Sequence, residues 1–129
     1  MDAIGIAASA LNMHQAWLNS ISDNIANIND ARNPSQNAFQ AQYLVANEVA
    51  GNQGVAVTGV AHGSAAGKLV YDPTNPVASS TGYVRMPDID LGEQMSELIM
   101  AQRGFQANAN VVDRAKTMYQ SALQIGRNA

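Results

Sequence analysis

Apolar positions recur along this chain at alternating spacings of four and three, at both ends and nowhere else. The longer run is Leu91, Met95, Leu98, Gln102, Phe105, Ala109, Val112, Lys116, Tyr119 and Leu123. The shorter one is Ile4, Ala8, Leu11, Gln15, Leu18, Ser22 and Ile25. Held over more than three heptads, this spacing is that of a coiled-coil seam. It predicts a first helix over about 3–28, with Asp2 as a possible N-cap and Asn27, Asn29, Asp30, Asn33 and Pro34 marking the exit. A second row, Ala7, Leu11, His14, Leu18, Ile21, Ile25 and Ile28, overlaps the first and widens the apolar arc. The second helix is expected to open at Asp90, with Glu93 three residues on in capping-box spacing, and to reach Ile125 with Gly126 past its end.

Between the helices the period changes. Phe39, Ala41, Tyr43, Val45 and Val49 alternate with mostly polar neighbours, as in a strand. Gly51-Asn52-Gln53-Gly54 is a turn signal, and Val55, Val57 and Val60 predict a returning strand. Lys68–Tyr71 and 82–86 predict two more strands, separated by the rigid Asp72-Pro73-Thr74-Asn75-Pro76. The expected fold is mainly α with a small β module. Long N- and C-terminal helices pack as a coiled-coil-like pair, and a short antiparallel β segment lies between them. The expected organisation is a helix of the helical core over 1–30, an extended β module with linkers over 31–88, and the second core helix over 89–129.

Composition sharpens this picture. Only 13% of the 129 residues are charged, and aromatics are 5%. The outer faces of the helices carry Asn, Gln, Ser and Ala where a lone coiled coil in water carries Glu and Lys. Helices of that kind are usually covered on several sides. A net charge of −3 provides no basic footprint for nucleic acid. No stretch approaches the roughly 20 apolar residues of a membrane span, so direct membrane insertion is not expected. The N-terminus lacks a basic n-region, and a cleavable signal peptide is not expected.

Candidate chemistry is sparse. There are no cysteines, and His14 and His62 have no carboxylate spaced to complete a metal site. Glu93 and Glu97 lie one turn apart, but a position near a helix N-terminus favours them without catalysis. Neither a Gly-x-Ser-x-Gly elbow nor a phosphate-cradling glycine loop occurs, and Gly63–Gly67 has the composition of a flexible linker. No enzyme, cofactor or metal site is expected. Gln15, Gln102 and Lys116 stand where apolar knobs belong; they either fix register or rotate to solvent. Gly104, inside the second helix, marks either a close helix contact or an ordinary surface glycine.

Several strings carry a resemblance. Ser20-Ile21-Ser22-Asp23-Asn24-Ile25-Ala26-Asn27, with its lead-in from Leu11 to Leu18-Asn19, resembles the N-terminal signature of the flagellar axial family of rod, hook and hook-associated proteins. Lys68-Leu69-Val70-Tyr71-Asp72-Pro73, Asn75-Pro76, Gly82-Tyr83-Val84-Arg85-Met86-Pro87 and Ala101–Asn108 resemble the basal-body rod proteins of that family. The usual Thr-x-Gly-Tyr turn after the first signature is replaced by Ile28–Pro34, which leaves the chain path over 28–38 open.

The resemblance implies a non-enzymatic rod subunit in the flagellar basal body, outside the cytoplasmic membrane. It implies export through the flagellar type III apparatus and assembly into a helical, torque-bearing tube. Implied partners are copies of itself, other rod proteins and basal-body or export-gate components at the rod base. Expected packing residues are Leu11, Leu18, Asn24, Ile25 and Asn27 on the first helix, and Met95, Leu98, Gln102, Phe105, Asn108, Val112, Tyr119 and Leu123 on the second. Tyr71, Asp72, Pro73, Asn75, Pro76, Gly82, Tyr83, Met86 and Pro87 form the family motif of the β module. A soluble adaptor of the export-chaperone kind is the alternative reading of the same seams.

Overall fold

The computed structural model describes residues 3–129; the expected cap at Asp2 lies outside the described residues. Helix α1 spans Ala3–Ala26. Four strands follow, β1 (Gln42–Glu48), β2 (Val55–His62), β3 (Lys68–Tyr71) and β4 (Tyr83–Met86), and helix α2 spans Leu91–Asn128. The strands form two separate antiparallel pairs, β1 with β2 and β3 with β4. The expected architecture of two long terminal helices around a small β part is thus present.

The ends of the elements have local causes. At the α1 exit the Asn27 N–H still donates to Asp23 O, but the Ile28 N–H donates to Ile25 O at 3.3 Å, so the last turn tightens and the helix stops at Ala26. At the start of α2 the Asp90 carboxylate accepts from the Glu93 N–H at 2.7 Å, which satisfies one free donor of the first turn. The far end differs from expectation: α2 runs through Gly126 to Asn128, because a solvated helix end can carry glycine without a left-handed stop.

The first strand is shorter than its alternation predicted. Phe39 stays outside it, since residues 38–41 are held by the loop before β3: the Ala38 N–H donates to Ala65 O, and the Gly63 N–H to Ala41 O, each at 2.8 Å. Gln40 Nε2 also donates to Gly63 O. The segment 63–67, flexible by composition, is therefore tied down along its length. β1 and β2 pair in register from Gln42↔His62 to Glu48↔Val55, with a bulge at Thr58 opposite Val45 and Ala46. The β1–β2 hairpin lies along α1, where the Val55 N–H donates to Ser9 Oγ at 3.1 Å.

The β3–β4 pair is stitched to the exit of α1. Arg32 and Arg85 exchange both backbone hydrogen bonds, at 2.9 and 2.8 Å. The Arg85 guanidinium donates to Pro34 O through Nε and Nη2, and to Ala66 O through Nη1. This fixes the path over 28–38 that the departing motif left open. Arg32 is held in turn by Asp30 at 2.8 Å. The buried residues are mostly small: Ala7, Ile21, Ala38, Ala41, Val84, Ile89 and Ala101, with Ser20, Asn24 and Gln94 among them. A core of that size cannot cover two helices on every side.

Candidate assembly interface

The two helices pack antiparallel, and small residues let them come close. At Gly104 an added methyl would collide with the His14 ring, lying 2.5 Å from Cδ2. The close-contact reading of this glycine therefore holds. His14 cannot easily step aside, because its Nδ1 donates to Ala10 O at 2.7 Å. Trp17 Nε1 donates to Glu97 at 3.4 Å.

Where α1, α2 and β1 meet, Asn24 joins all three. Its Nδ2 donates to Gln42 O and to Gln94 Oε1, each at 3.0 Å. Its Oδ1 accepts from the Gln42 N–H at 2.7 Å. The carboxamide thus pairs with β1 as a neighbouring strand residue would. Asn24 and Gln94 are each only 1% exposed, so the pair is desolvated and each group depends on the other.

With Asn24 beside Gln94 and His14 beside Gly104, ten residues of α1 match ten of α2. The same rise carried to Ala3 reaches Ala115. Ala115 is the last residue of α2 that is not exposed; every residue from Lys116 to Ala129 faces solvent. At 1.5 Å per residue the uncovered end of α2 is about 20 Å long.

The expected packing residues divide accordingly. Asn24 is buried; Leu11, Leu18, Ile25, Asn27, Leu98, Phe105, Asn108 and Val112 are half-buried. Met95, Gln102, Tyr119 and Leu123 are exposed. The internal seam shares Leu98, Phe105 and Val112 with the expected one. Its other row is Gln94, Ala101, Asn108 and Ala115, one residue before the expected Met95, Gln102, Ala109 and Lys116. The more apolar flank, Leu91, Met95 and Ile99, is left outside at 45–50% exposure. Beside it a groove is lined by Leu18, Ile99, Gln102, Arg103, Phe105 and Gln106.

Three features were missed by sequence reasoning: the buried partner Gln94, the Arg85 clamp and the groove at Ile99. The first left a trace, since Gln94, Ala101, Asn108 and Ala115 form a strict heptad row of small or amide side chains.

The β motif folds into one loop. Asp72 accepts from Thr74 Oγ1 at 2.9 Å and from Asn75 Nδ2 at 3.2 Å. Its own N–H donates to Gly82 O, the Gly82 N–H donates to Ser79 O, and Tyr71 meets Tyr83 edge to face at 5.3 Å. Gly82, Pro87 and the intervening Val84 are buried; Asp72, Asn75 and Met86 are half-buried, while Tyr71, Tyr83, Pro73 and Pro76 are exposed. Burial, with Glu93, Glu97 and Asp88 nearby, holds the Tyr43 phenol above its usual value. Among the described residues no group of His, Asp or Glu is placed to hold a metal ion, and no helix is long and apolar enough to cross a membrane.

The total accessible surface is 8263 Å², whereas a compact monomer of 13.6 kDa exposes about 6,600 Å². The surplus reflects an open shape, with the end of α2 standing clear of α1.

A chain of paired terminal helices with unburied flanks and a small β insert falls in the class of axial assembly proteins. Residues 80–125 match the family described as flagellar basal body rod FlgEFG protein C-terminal. The chain is 34% identical to the flagellar basal-body rod protein FlgC of Escherichia coli O6:H1, over 98% of both chains. The identity is 34%, again over 98% of both, with FlgC of Salmonella typhimurium, and 27% over 97% of both with FlgC of Bacillus subtilis. The chain belongs to the FlgC family of flagellar basal-body rod proteins.

Proposed function

We propose that this protein is a structural, non-catalytic subunit of the flagellar basal-body rod, built into a tubular shaft through its two terminal helices. The observation that carries this reading is the uncovered end and flank of α2, on a chain similar to rod proteins along nearly its whole length. Apolar surface on a subunit stabilises it only when a neighbour covers it. Distinct faces at the two ends of α2 make a heterologous contact, which propagates as an open helix or tube instead of closing into a pair.

In such a shaft the torque of the motor is spread over many small packing contacts between parallel helices. Export through the flagellar type III apparatus, copies of this chain, other rod proteins and basal-body components at the rod base complete the reading. Deleting the gene in its host and imaging basal bodies tests the proposal. Rings without a rod, restored by the intact gene, are expected; rods and hooks of normal length in the deletion strain would refute it.

A further inference from the structure

Resting on the rod-subunit reading, we infer that Met118 is an oxidation site. Hydrogen peroxide converts its thioether to the sulfoxide in the unassembled chain, and the oxidised subunit is kept out of the rod. The chain has no cysteine, so its only sulfur lies in methionine thioethers. Among the described methionines, Met13 and Met86 are half-buried, whereas Met95, Met100 and Met118 are exposed at 45%, 54% and 72%. Met118 lies beyond the stretch of α2 that α1 covers, in an open notch with Asp113, Arg114 and Thr117. A small oxidant therefore reaches this sulfur without any movement of the fold.

The place of Met118 on the helix gives its oxidation a consequence. Met100 and Met118 are about five turns apart at 3.6 residues per turn, so they stand in line along one side of α2. Ala107, Val111 and Ile125 fall close to the same line, and all five residues are exposed. This apolar stripe is separate from the row Gln94, Ala101, Asn108 and Ala115 that faces α1. A neighbouring subunit that covers it gains by removing it from water. In the reaction a sulfur lone pair attacks one peroxide oxygen, the O–O bond breaks and an S–O bond forms. The displaced hydroxide takes the remaining proton and leaves as water; sulfur gives up two electrons and the peroxide gains them. The product is a polar group between Val111 and Ile125 in the stripe. Left in water it is solvated, but covered without a hydrogen-bond donor it is penalised. Oxidation thus acts on free subunits and opposes only the step that covers them, and a methionine sulfoxide reductase reverses it.

Limiting hydrogen peroxide is added to the full-length chain, and peptide mass spectrometry follows each methionine. Met118 is expected to oxidise several times faster than Met13 or Met86; an equal or slower rate overturns the site. In the deletion strain, Met118→Leu is then compared with Met118→Gln, whose side chain matches the sulfoxide in length and polarity. Met118→Leu is expected to restore rods as the natural chain does. Met118→Gln is expected to lower the number of basal bodies with rods at least about tenfold. Rods restored equally by both variants overturn the inference. Lower helix content in purified Met118→Gln than in Met118→Leu, read by circular dichroism, also overturns it, since the fold does not depend on so exposed a side chain. A brief peroxide pulse during rod regrowth is expected to cost cells with Met118 more new rods than cells with Met118→Leu; equal losses overturn the oxidation step. All of these failures leave the rod reading standing, whereas rods in the deletion strain without any copy of the chain overturn both.

Discussion

Replacing Gly104 by alanine sets a gain in helix propensity against a larger steric cost. In an exposed helix the change stabilises by about 1 kcal/mol, because glycine carries the larger entropic cost. Here the new methyl would lie 2.5 Å from His14 Cδ2 and closer still to Nε2. The ring must swing away and give up its 2.7 Å bond to Ala10 O, a loss of about 1 kcal/mol. Overpacking the helix contact adds a further cost of about 1–3 kcal/mol. The expected net effect of Gly104→Ala is therefore a destabilisation of about 1–3 kcal/mol. In a His14→Ala background the obstacle is gone, and the same substitution is expected to stabilise by about 1 kcal/mol. Urea unfolding of the four proteins, followed by far-ultraviolet circular dichroism, measures the cycle. A stabilising Gly104→Ala in the natural background, or no change of sign with His14 removed, would refute the close contact between α1 and α2.

Other outcomes follow from the same packing. Asn24→Leu leaves the Gln42 backbone groups and Gln94 Oε1 without partners and is expected to cost about 2–4 kcal/mol by urea unfolding; Asn24→Asp is expected to be no milder, because it keeps the acceptor for the Gln42 N–H but turns a buried carboxylate oxygen toward Gln42 O and Gln94 Oε1. Gly67→Ala is expected to destabilise the β module, since Gly67 has φ +55° and an added methyl would lie 2.6 Å from the Ala38 methyl; loss of the β3–β4 amide protection in hydrogen exchange checks this. In the unassembled chain, amides of residues 116–128 are expected to exchange faster than those of residues 94–108, which α1 covers; equal protection throughout would contradict the uncovered end. The raised phenol of Tyr43 favours the neutral form in the folded state, so stability is expected to be level below about pH 10 and to decline above it as the unfolded chain ionises first. Tyr43→Phe should flatten that decline, a modest effect because Tyr43 is 38% exposed.

Both helices, all four strands and the capping of α2 were legible in the sequence, because periodicity, turn residues and an Asp at the cap position report on local structure. The choice of seam was not. Hydrophobicity selected Met95, Gln102, Ala109 and Lys116 as the second row, since an apolar residue heads it. The interior instead took Gln94, Ala101, Asn108 and Ala115, because two helices that approach to the distance of the Gly104–His14 contact leave room only for small side chains. The Gln94 amide enters that interior because Asn24 satisfies it. An apolar pattern marks the surfaces that must leave water without saying whether the cover comes from within the chain. The Arg85 clamp was illegible for another reason. Its acceptors are the backbone carbonyls of Pro34 and Ala66, and no side-chain pattern encodes them.

Electron cryomicroscopy of rods isolated from the native organism tests the assembly reading most directly. Density for this chain is expected in the rod wall, with α1 and α2 paired antiparallel, Asn24 against Gln94, and the last three turns of α2 covered by neighbouring subunits. Rods whose density holds no copy of the chain, or copies whose α2 ends stand free in solvent, would contradict it.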